Sequence, residues 1–151
     1  MALDDDIRIL SAVRLFEGFT QEQLRLLAFG AEATLVQAGH KLYREDDVAD
    51  SAYVVVSGRI VLYREQDGER IPIGKVGPGT MLSELALIAD TNRLTSASAE
   101  IDSEVIRLSR KMFRRILEEY PELAVKLHQR ISEEFHDMIR RIEELAPRFS
   151  G

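Results

Sequence analysis

The residues best suited to chemistry lie in one short run, Ser83 to Arg93, which reads SELALIADTNR. Its first residues favour a short helix, and the first backbone N–H groups of a helix have no partner inside that helix. Such N–H groups can donate to an anion. Arg93 lies far enough beyond Glu84 for the chain to leave the helix and return. The run therefore predicts an anion-binding site.

A cation and a carboxylate in the same run narrow the chemistry of the ligand. The planar guanidinium of Arg93 can hold two phosphate oxygens at once. The Glu84 carboxylate would repel a bare phosphate, but it can accept a hydrogen bond from a sugar hydroxyl beside that phosphate. A ribose phosphate satisfies both side chains. The predicted ligand-binding residues are Ser83, Glu84, Leu85, Ala86, Arg93, Leu94 and Thr95.

Histidine and cysteine usage argues against a metalloenzyme. The chain has no cysteine, and its three histidines, His40, His128 and His136, are widely separated. A jelly-roll metalloenzyme needs clustered histidine and carboxylate ligands, and only His40 lies in the strand-rich part of the chain. We therefore expect no metal site, no cofactor and no catalytic residue, and we predict that the chain is not an enzyme.

Three segments with different patterns must position the Ser83 to Arg93 run. Residues 1–30 are helical in pattern, and Thr20 with Gln23 matches a capping box. Residues 33–109 form short β-rich runs separated by turns such as Asp67-Gly68, and residues 110–146 are helical again. The pattern predicts one α+β, mainly β domain over 1–151. Its antiparallel β-roll, a jelly-roll-like barrel, would be flanked by N-terminal helices and a long C-terminal helix.

Four stretches together resemble the cyclic nucleotide-binding domains of catabolite activator-type regulators, kinase regulatory subunits and cyclic nucleotide-gated channels. They are LFEGFTQEQLRLLA (Leu15 to Ala28), YREDDVADSAYVVVSGRI (Tyr43 to Ile60), VGPGTMLSELALIADTNR (Val76 to Arg93) and SRKMFRRILEEYPELA (Ser109 to Ala124). The resemblance implies a phosphate cassette at residues 82–95. In it, the glutamate matching Glu84 would accept from the ribose 2′-OH. The arginine matching Arg93 would bind the cyclic phosphate, helped by backbone amides from Ser83 to Leu85.

The chain departs from the family pattern at a few positions. The family usually has glycine at Ser83 and again just before Asp47, where this chain has Asp46. A small or hydroxyl-bearing residue usually stands at Leu94, and its absence favours cyclic AMP over cyclic GMP. The positions that meet the adenine ring in catabolite activator-type relatives match Met138 and Ile139 here, which provide no hydroxyl.

Composition limits the partners. The net charge is −6, with Lys and Arg scattered among more numerous Asp and Glu, so DNA is not expected as a partner. No apolar run approaches the length of a membrane span, and the first residues do not form a secretion signal. We expect a cytoplasmic, stand-alone domain. Because no helix-turn-helix follows Leu145, its output would pass to an unknown effector protein.

The last helix has a heptad pattern, with apolar residues at Ile131, Phe135, Met138, Ile142 and Leu145. This spacing predicts a homodimer through the C-terminal helix. The alternative is a helix that packs on its own β-roll, since two heptads serve either purpose.

The sequence leaves two functional interpretations. The first is a regulatory sensor domain that binds a cyclic nucleotide monophosphate and signals through protein contacts. The second is a docking or dimerisation module that binds no ligand, in which Glu84 and Arg93 form a surface ion pair or line a degenerate nucleotide site.

Overall fold

Helices enclose a strand-rich centre in the order that the sequence predicts. The computed structural model describes residues 2–144, with side chains from Asp4 onward. The helices are α1 (Ala2–Ser11), α2 (Gln21–Phe29), α3 (Arg110–Glu119) and α4 (Pro121–Glu144), and short 3₁₀ helices span Arg14–Phe16 and Glu84–Leu87. The strands are β1 (Glu32–Val36), β2 (Lys41–Tyr43), β3 (Val48–Ala49), β4 (Ser51–Ser57), β5 (Ile60–Gln66), β6 (Glu69–Val76), β7 (Met81–Leu82), β8 (Thr91–Asn92), β9 (Ser96–Ala99) and β10 (Ser103–Ser109).

The predicted capping box begins α2. The Thr20 side chain accepts from the Gln23 N–H at 3.2 Å, and the Gln23 side chain accepts from the Thr20 N–H at 2.9 Å. Each side chain thus satisfies a backbone donor that the first turn of a helix leaves unpaired. Ile7, Leu10 and Val13 are buried, so this helical layer is fixed against the rest of the domain.

Two four-stranded antiparallel sheets form the jelly-roll-like centre. Their strand orders are β1-β10-β4-β7 and β2-β9-β5-β6, and β3 pairs separately with β8. Val55 and Val105 of the first sheet share a buried apolar cluster with Ile60 and Leu62 of the second, so the sheets face each other. The strands described do not form one closed barrel, because the very short strands around the cassette interrupt the hydrogen-bonded ladder.

Left-handed residues make the reversals between strands. Asp67 and Gly68 have φ of 54° and 80° between the paired residues Gln66 and Glu69, which is the predicted two-residue hairpin turn. Gly58, between β4 and β5, has φ of 93°, and a Cβ built there would lie 2.1 Å from the Ser103 Oγ. Only glycine fits that turn.

Helix α4 packs on the domain's own sheets. Leu127 and Ile131 are buried in the cluster that joins the helices to the first sheet. Further along the helix, Met138 and Ile142 pack against the cluster between the sheets. The heptad seam is therefore used within the chain, as the alternative interpretation predicts, while Leu145 lies outside the described residues. No helix in residues 2–144 is both long enough and apolar enough for a bilayer.

Candidate functional site

All seven residues predicted to bind a ligand line a single pocket. They are Ser83, Glu84, Leu85, Ala86, Arg93, Leu94 and Thr95. The open space between the pocket walls, including its solvent-filled mouth, is about 570 Å³. The structure therefore brings both ends of the Ser83 to Arg93 run to one cavity, with strands on one side and α4 on the other.

Ser83 directs the chain from β7 into the short 3₁₀ helix. Its backbone is left-handed, with φ of 61° and ψ of 38°. The Ala86 N–H then donates to the Ser83 carbonyl oxygen at 3.0 Å. A left-handed residue explains why the resemblance places glycine here, because glycine adopts that conformation without a steric penalty.

A small strand pair places Arg93 at the pocket. In the β3–β8 pair, Val48 lies opposite Asn92. The Arg93 N–H donates to the Asp47 carbonyl oxygen at 2.8 Å, and the Asp46 N–H donates to the Arg93 carbonyl oxygen at 2.9 Å. Asp46 has φ of 71°, so it occupies the left-handed turn that the family pattern assigns to glycine. These bonds fix the backbone from which the guanidinium extends.

The Arg93 guanidinium is buried among neutral groups. The residue is 5% exposed. Its Nη1 donates to the Ser51 carbonyl oxygen at 2.7 Å, and its Nη2 donates to the Ser51 Oγ at 3.3 Å. The guanidinium carbon lies 4.6 Å from the ring centre of Tyr43 and 5.4 Å from that of Tyr53, distances typical of cation–π contact. In residues 2–144 no carboxylate forms an ion pair with it.

Glu84 meets a second carboxyl group rather than a cation. Burial raises the pKa of Glu84 well above its ordinary value, and a side-chain hydrogen bond and like-charge repulsion from Glu134 raise it further. Glu134 reaches the pocket from α4. Because Glu84 and Arg93 form no ion pair in the described part of the chain, the surface ion pair that served as an alternative is wrong.

Tyr43 also lines the pocket, and sequence reasoning missed it. Burial raises the pKa of its hydroxyl, while interactions with the Ser83 side chain, the Arg93 charge and the Thr95 side chain act in the opposite direction. Its hydroxyl therefore interacts with three of the residues that the sequence predicts to bind the ligand. The YREDD stretch carried the family resemblance, but nothing in it marked Tyr43 as a pocket residue.

The C-terminal helix gives the pocket an apolar wall. Phe135 and Met138 of α4 line the cavity, whereas Ile139 lines an adjoining groove with Arg93 and Leu94. Of the two positions predicted to replace the adenine contacts, one thus reaches the main pocket. Within residues 2–144, no three His, Asp or Glu side chains are grouped so that they could hold a metal ion.

The family model for the cyclic nucleotide-binding domain matches residues 34–120. The chain belongs to this family. The match includes the whole of the cassette, and so both Glu84 and Arg93 of this cyclic nucleotide-binding domain.

The solved structures that resemble this cyclic nucleotide-binding domain include the following two. A cyclic nucleotide-binding-like protein from Brucella abortus is 60% identical, with a TM-score of 0.70, over 76% of this chain and 99% of that one. The regulatory domain of Toxoplasma gondii PKA, crystallised with cAMP, is 27% identical with a TM-score of 0.70, over 76% of this chain and 44% of that one.

Relatives also occur inside much larger enzymes. The lysophospholipase nte1 of Aspergillus fumigatus is 25% identical over 136 residues, which is 89% of this chain. The chain spans 9% of the length of that enzyme. The similarity therefore concerns one small domain of the lysophospholipase.

Proposed function

We propose that this domain binds a cyclic nucleotide monophosphate, with Arg93 on the phosphate and Glu84 on the ribose 2′-OH. The observation that carries the proposal is the buried guanidinium without a carboxylate partner in the described chain. A buried charge is costly unless an opposite charge and hydrogen bonds compensate it. An anion in the pocket would supply that charge, and the guanidinium would hold two of its oxygens.

The charges around the pocket favour a singly charged phosphate. Arg93 is the cation of the lining, whereas Glu84 and Glu134 both contribute carboxyl groups. A cyclic phosphate diester carries one negative charge, while an open nucleotide monophosphate carries up to two near neutral pH. Since repulsion grows with ligand charge in a poorly solvated pocket, the cyclic ester suits this lining better. The hydroxyls of Ser83 and Thr95 can donate to it as well.

The base is proposed to be adenine. The wall opposite the cassette is apolar, with Phe135 and Met138, and can cover a purine ring. Leu94 offers no hydroxyl to a guanine. The Toxoplasma gondii regulatory domain was crystallised with cAMP, which supports the same choice.

The proposed role is regulatory rather than catalytic. Because α4 supplies one wall of the pocket, a ligand that binds one α4 position better than another shifts the population toward it. The changed helix surface would then alter the contact with an effector protein, in the cytoplasm.

The proposal also includes a homodimer through α4, but through a different face of the helix from the predicted heptad seam. Ile131, Met138 and Ile142 pack within the chain, so a dimer would use other side chains of the helix. Val125 is 75% exposed there. Light scattering across a concentration series, with Val125→Glu alongside, checks this. A dimer mass that the substitution halves supports the homodimer, and a monomer mass at every concentration contradicts it.

A thermal-shift series tests the nucleotide proposal. Cyclic AMP, cyclic GMP, 5′-AMP and a cyclic dinucleotide are compared on the wild type, Arg93→Ala and the control Arg59→Ala, whose arginine forms an exposed ion pair with Glu100. A ligand at 100 times its Kd adds about 2.7 kcal/mol of stability, or roughly 5–10 °C for a domain of this size. We expect that rise for cyclic AMP except in Arg93→Ala. Flat responses throughout would favour the docking module.

A further inference from the structure

Two carboxyl groups from separate elements meet inside the proposed nucleotide site. Glu84 belongs to the 3₁₀ helix after β7, and Glu134 belongs to α4, 50 positions later. Both line the main pocket, and both also line a second groove, different from the one beside Ile139, that Arg14 and Arg141 border. Their side chains are within hydrogen-bonding reach of each other. Neither a strand pairing nor an ion pair accounts for this contact.

Two carboxylates in contact cannot both be ionised without strong repulsion. A proton held between them removes the repulsion and makes one carboxyl group a hydrogen-bond donor to the other. The pair then titrates as a unit. Such a pair joins α4 to the cassette only while the proton is present.

We infer that Glu134 acts as a latch between α4 and the cassette. In the ligand-free chain its carboxyl group shares one proton with Glu84, and this hydrogen bond holds α4 over the pocket. When a nucleotide binds, the ribose hydroxyl replaces Glu134 as the hydrogen-bond partner of Glu84. The inference rests on the proposed function, because it assigns the ribose 2′-OH to Glu84. It also assigns a role in ligand binding to Glu134, a residue of α4 that lies outside the cassette. Glu134 thereby couples occupancy of the site to the position of the helix.

The exchange is balanced in protons and hydrogen bonds. When the ligand binds, the 2′-OH donates to the Glu84 carboxylate, the shared proton passes to solvent, and Glu134 is left ionised. Ionised Glu134 next to ionised Glu84 is repelled, which favours movement of that part of α4. Phe135 and Met138 on the same helix line the pocket, so the movement changes the wall proposed to cover the base.

Other charged and titratable groups also surround the Glu84–Glu134 pair. They come from every element packed there and are Arg14, Tyr43, Asp90, Arg93, Arg110, Asp137 and Arg141. Arg110 donates to the Ala86 carbonyl oxygen and pairs with Asp90, and Arg141 donates to the Ile73 carbonyl oxygen at 3.3 Å. The pKa of Glu84 is raised by burial and then by Glu134 although these cations lie nearby.

The latch predicts that binding of cyclic AMP releases a proton. Below the pKa of the pair, affinity should rise about tenfold for each pH unit, because one proton is lost on binding. Titration calorimetry from pH 5.5 to 8, in buffers of different ionisation enthalpy, measures both the slope and the released proton. In Glu134→Gln the amide can donate to ionised Glu84 without a shared proton, so the pH-dependent range should move to lower pH and the proton release at neutral pH should shrink. The matched control is Glu133→Gln, which changes an exposed residue of the same helix and should behave as wild type.

A measurement without ligand separates the latch from the proposed function. Carboxyl-carbon NMR titration of glutamate-labelled chain should show the pKa of Glu84 well above that of an ordinary glutamate in the wild type and Glu133→Gln. In Glu134→Gln that pKa should fall, although burial still raises it, and an unchanged Glu84 titration in Glu134→Gln would contradict the latch. If the pKa falls but no cyclic nucleotide binds, the pair exists and the proposed function is wrong. If cyclic AMP binds with the same affinity at every pH and Glu84 titrates normally, the latch is wrong and the nucleotide site stands.

Discussion

The Arg93 guanidinium donates to the backbone carbonyl oxygen of Ser51 on β4 at 2.7 Å. This bond, together with the Tyr43 and Tyr53 rings, holds the cation at the pocket wall before any ligand arrives. A side chain already held in place loses less conformational freedom on binding. The same contacts that keep the charge tolerable in the folded chain therefore prepare it for an anion.

Removing the ribose 2′-OH from the ligand should reveal the partner of Glu84. The carboxylate would be left without its donor, which costs about 1–3 kcal/mol for a buried polar group. Titration calorimetry should thus show 2′-deoxy cyclic AMP binding roughly 5–150-fold more weakly than cyclic AMP. In Glu84→Ala the two ligands should bind equally. A penalty that persists in Glu84→Ala would assign the hydroxyl to another residue.

Glu84 should make the ligand-free chain lose stability as pH rises. Its folded pKa is raised above the unfolded value, mainly by burial and then by Glu134, so the folded chain favours the protonated form. That contribution is fully present below the unfolded pKa and is lost as pH rises through the folded pKa.

Glu84→Gln keeps a neutral side chain at every pH and provides the comparison. Its advantage over wild type in the free energy of unfolding should grow from acid to neutral pH in urea titrations. The control Glu133→Gln should show a constant difference. A Glu84→Gln difference that is also independent of pH would contradict the assigned direction of the pKa shift.

The left-handed backbone at Ser83 should tolerate glycine and reject a β-branched residue. Ser83→Val should lower the free energy of unfolding by about 1–2 kcal/mol, because a side chain branched at Cβ is strained at φ of 61°. Ser83→Gly should change it by less than about 1 kcal/mol, since relief of strain offsets added backbone entropy. Equal losses in both variants, measured by urea unfolding, would show that the hydroxyl matters rather than the backbone.

Helix α4 should depend on its packing against the domain. Ile131 is fully buried, whereas Val125 on the same helix is 75% exposed. Ile131→Ala should cost about 2–5 kcal/mol of stability, and Val125→Ala should stay within about 0.5 kcal/mol. Equal small effects in thermal unfolding would mean that α4 does not pack on the sheets in solution.

Short sequence motifs correctly predicted the structural features that depend only on adjacent residues. The capping box at Thr20, the hairpin at Asp67-Gly68 and the short helix at Glu84 each need only a few adjacent residues. The family resemblance then supplied the long-range arrangement that brings Arg93 to the same cavity. Fold and cassette were therefore accessible from the sequence.

The rest of the site depends on contacts between distant segments. Tyr43, Ser51 and Glu134 reach Arg93 or Glu84 from β2, β4 and α4, and no local pattern encodes those approaches. The orientation of α4 was equally hidden, because a heptad seam looks the same whether it contacts a second copy or the chain's own sheets. The spacing of apolar residues identifies the apolar face of a helix, but it does not identify the surface that packs against that face.

Titration calorimetry of cyclic AMP into the wild-type chain and Arg93→Ala at neutral pH tests the central claim most directly. We predict saturable binding with one ligand per chain, weakened in Arg93→Ala by about 2–5 kcal/mol, the range for truncating one partner of a buried charge pair. Circular dichroism should show that the variant is folded. Absence of binding to the wild type, or equal affinity in folded Arg93→Ala, would contradict the account.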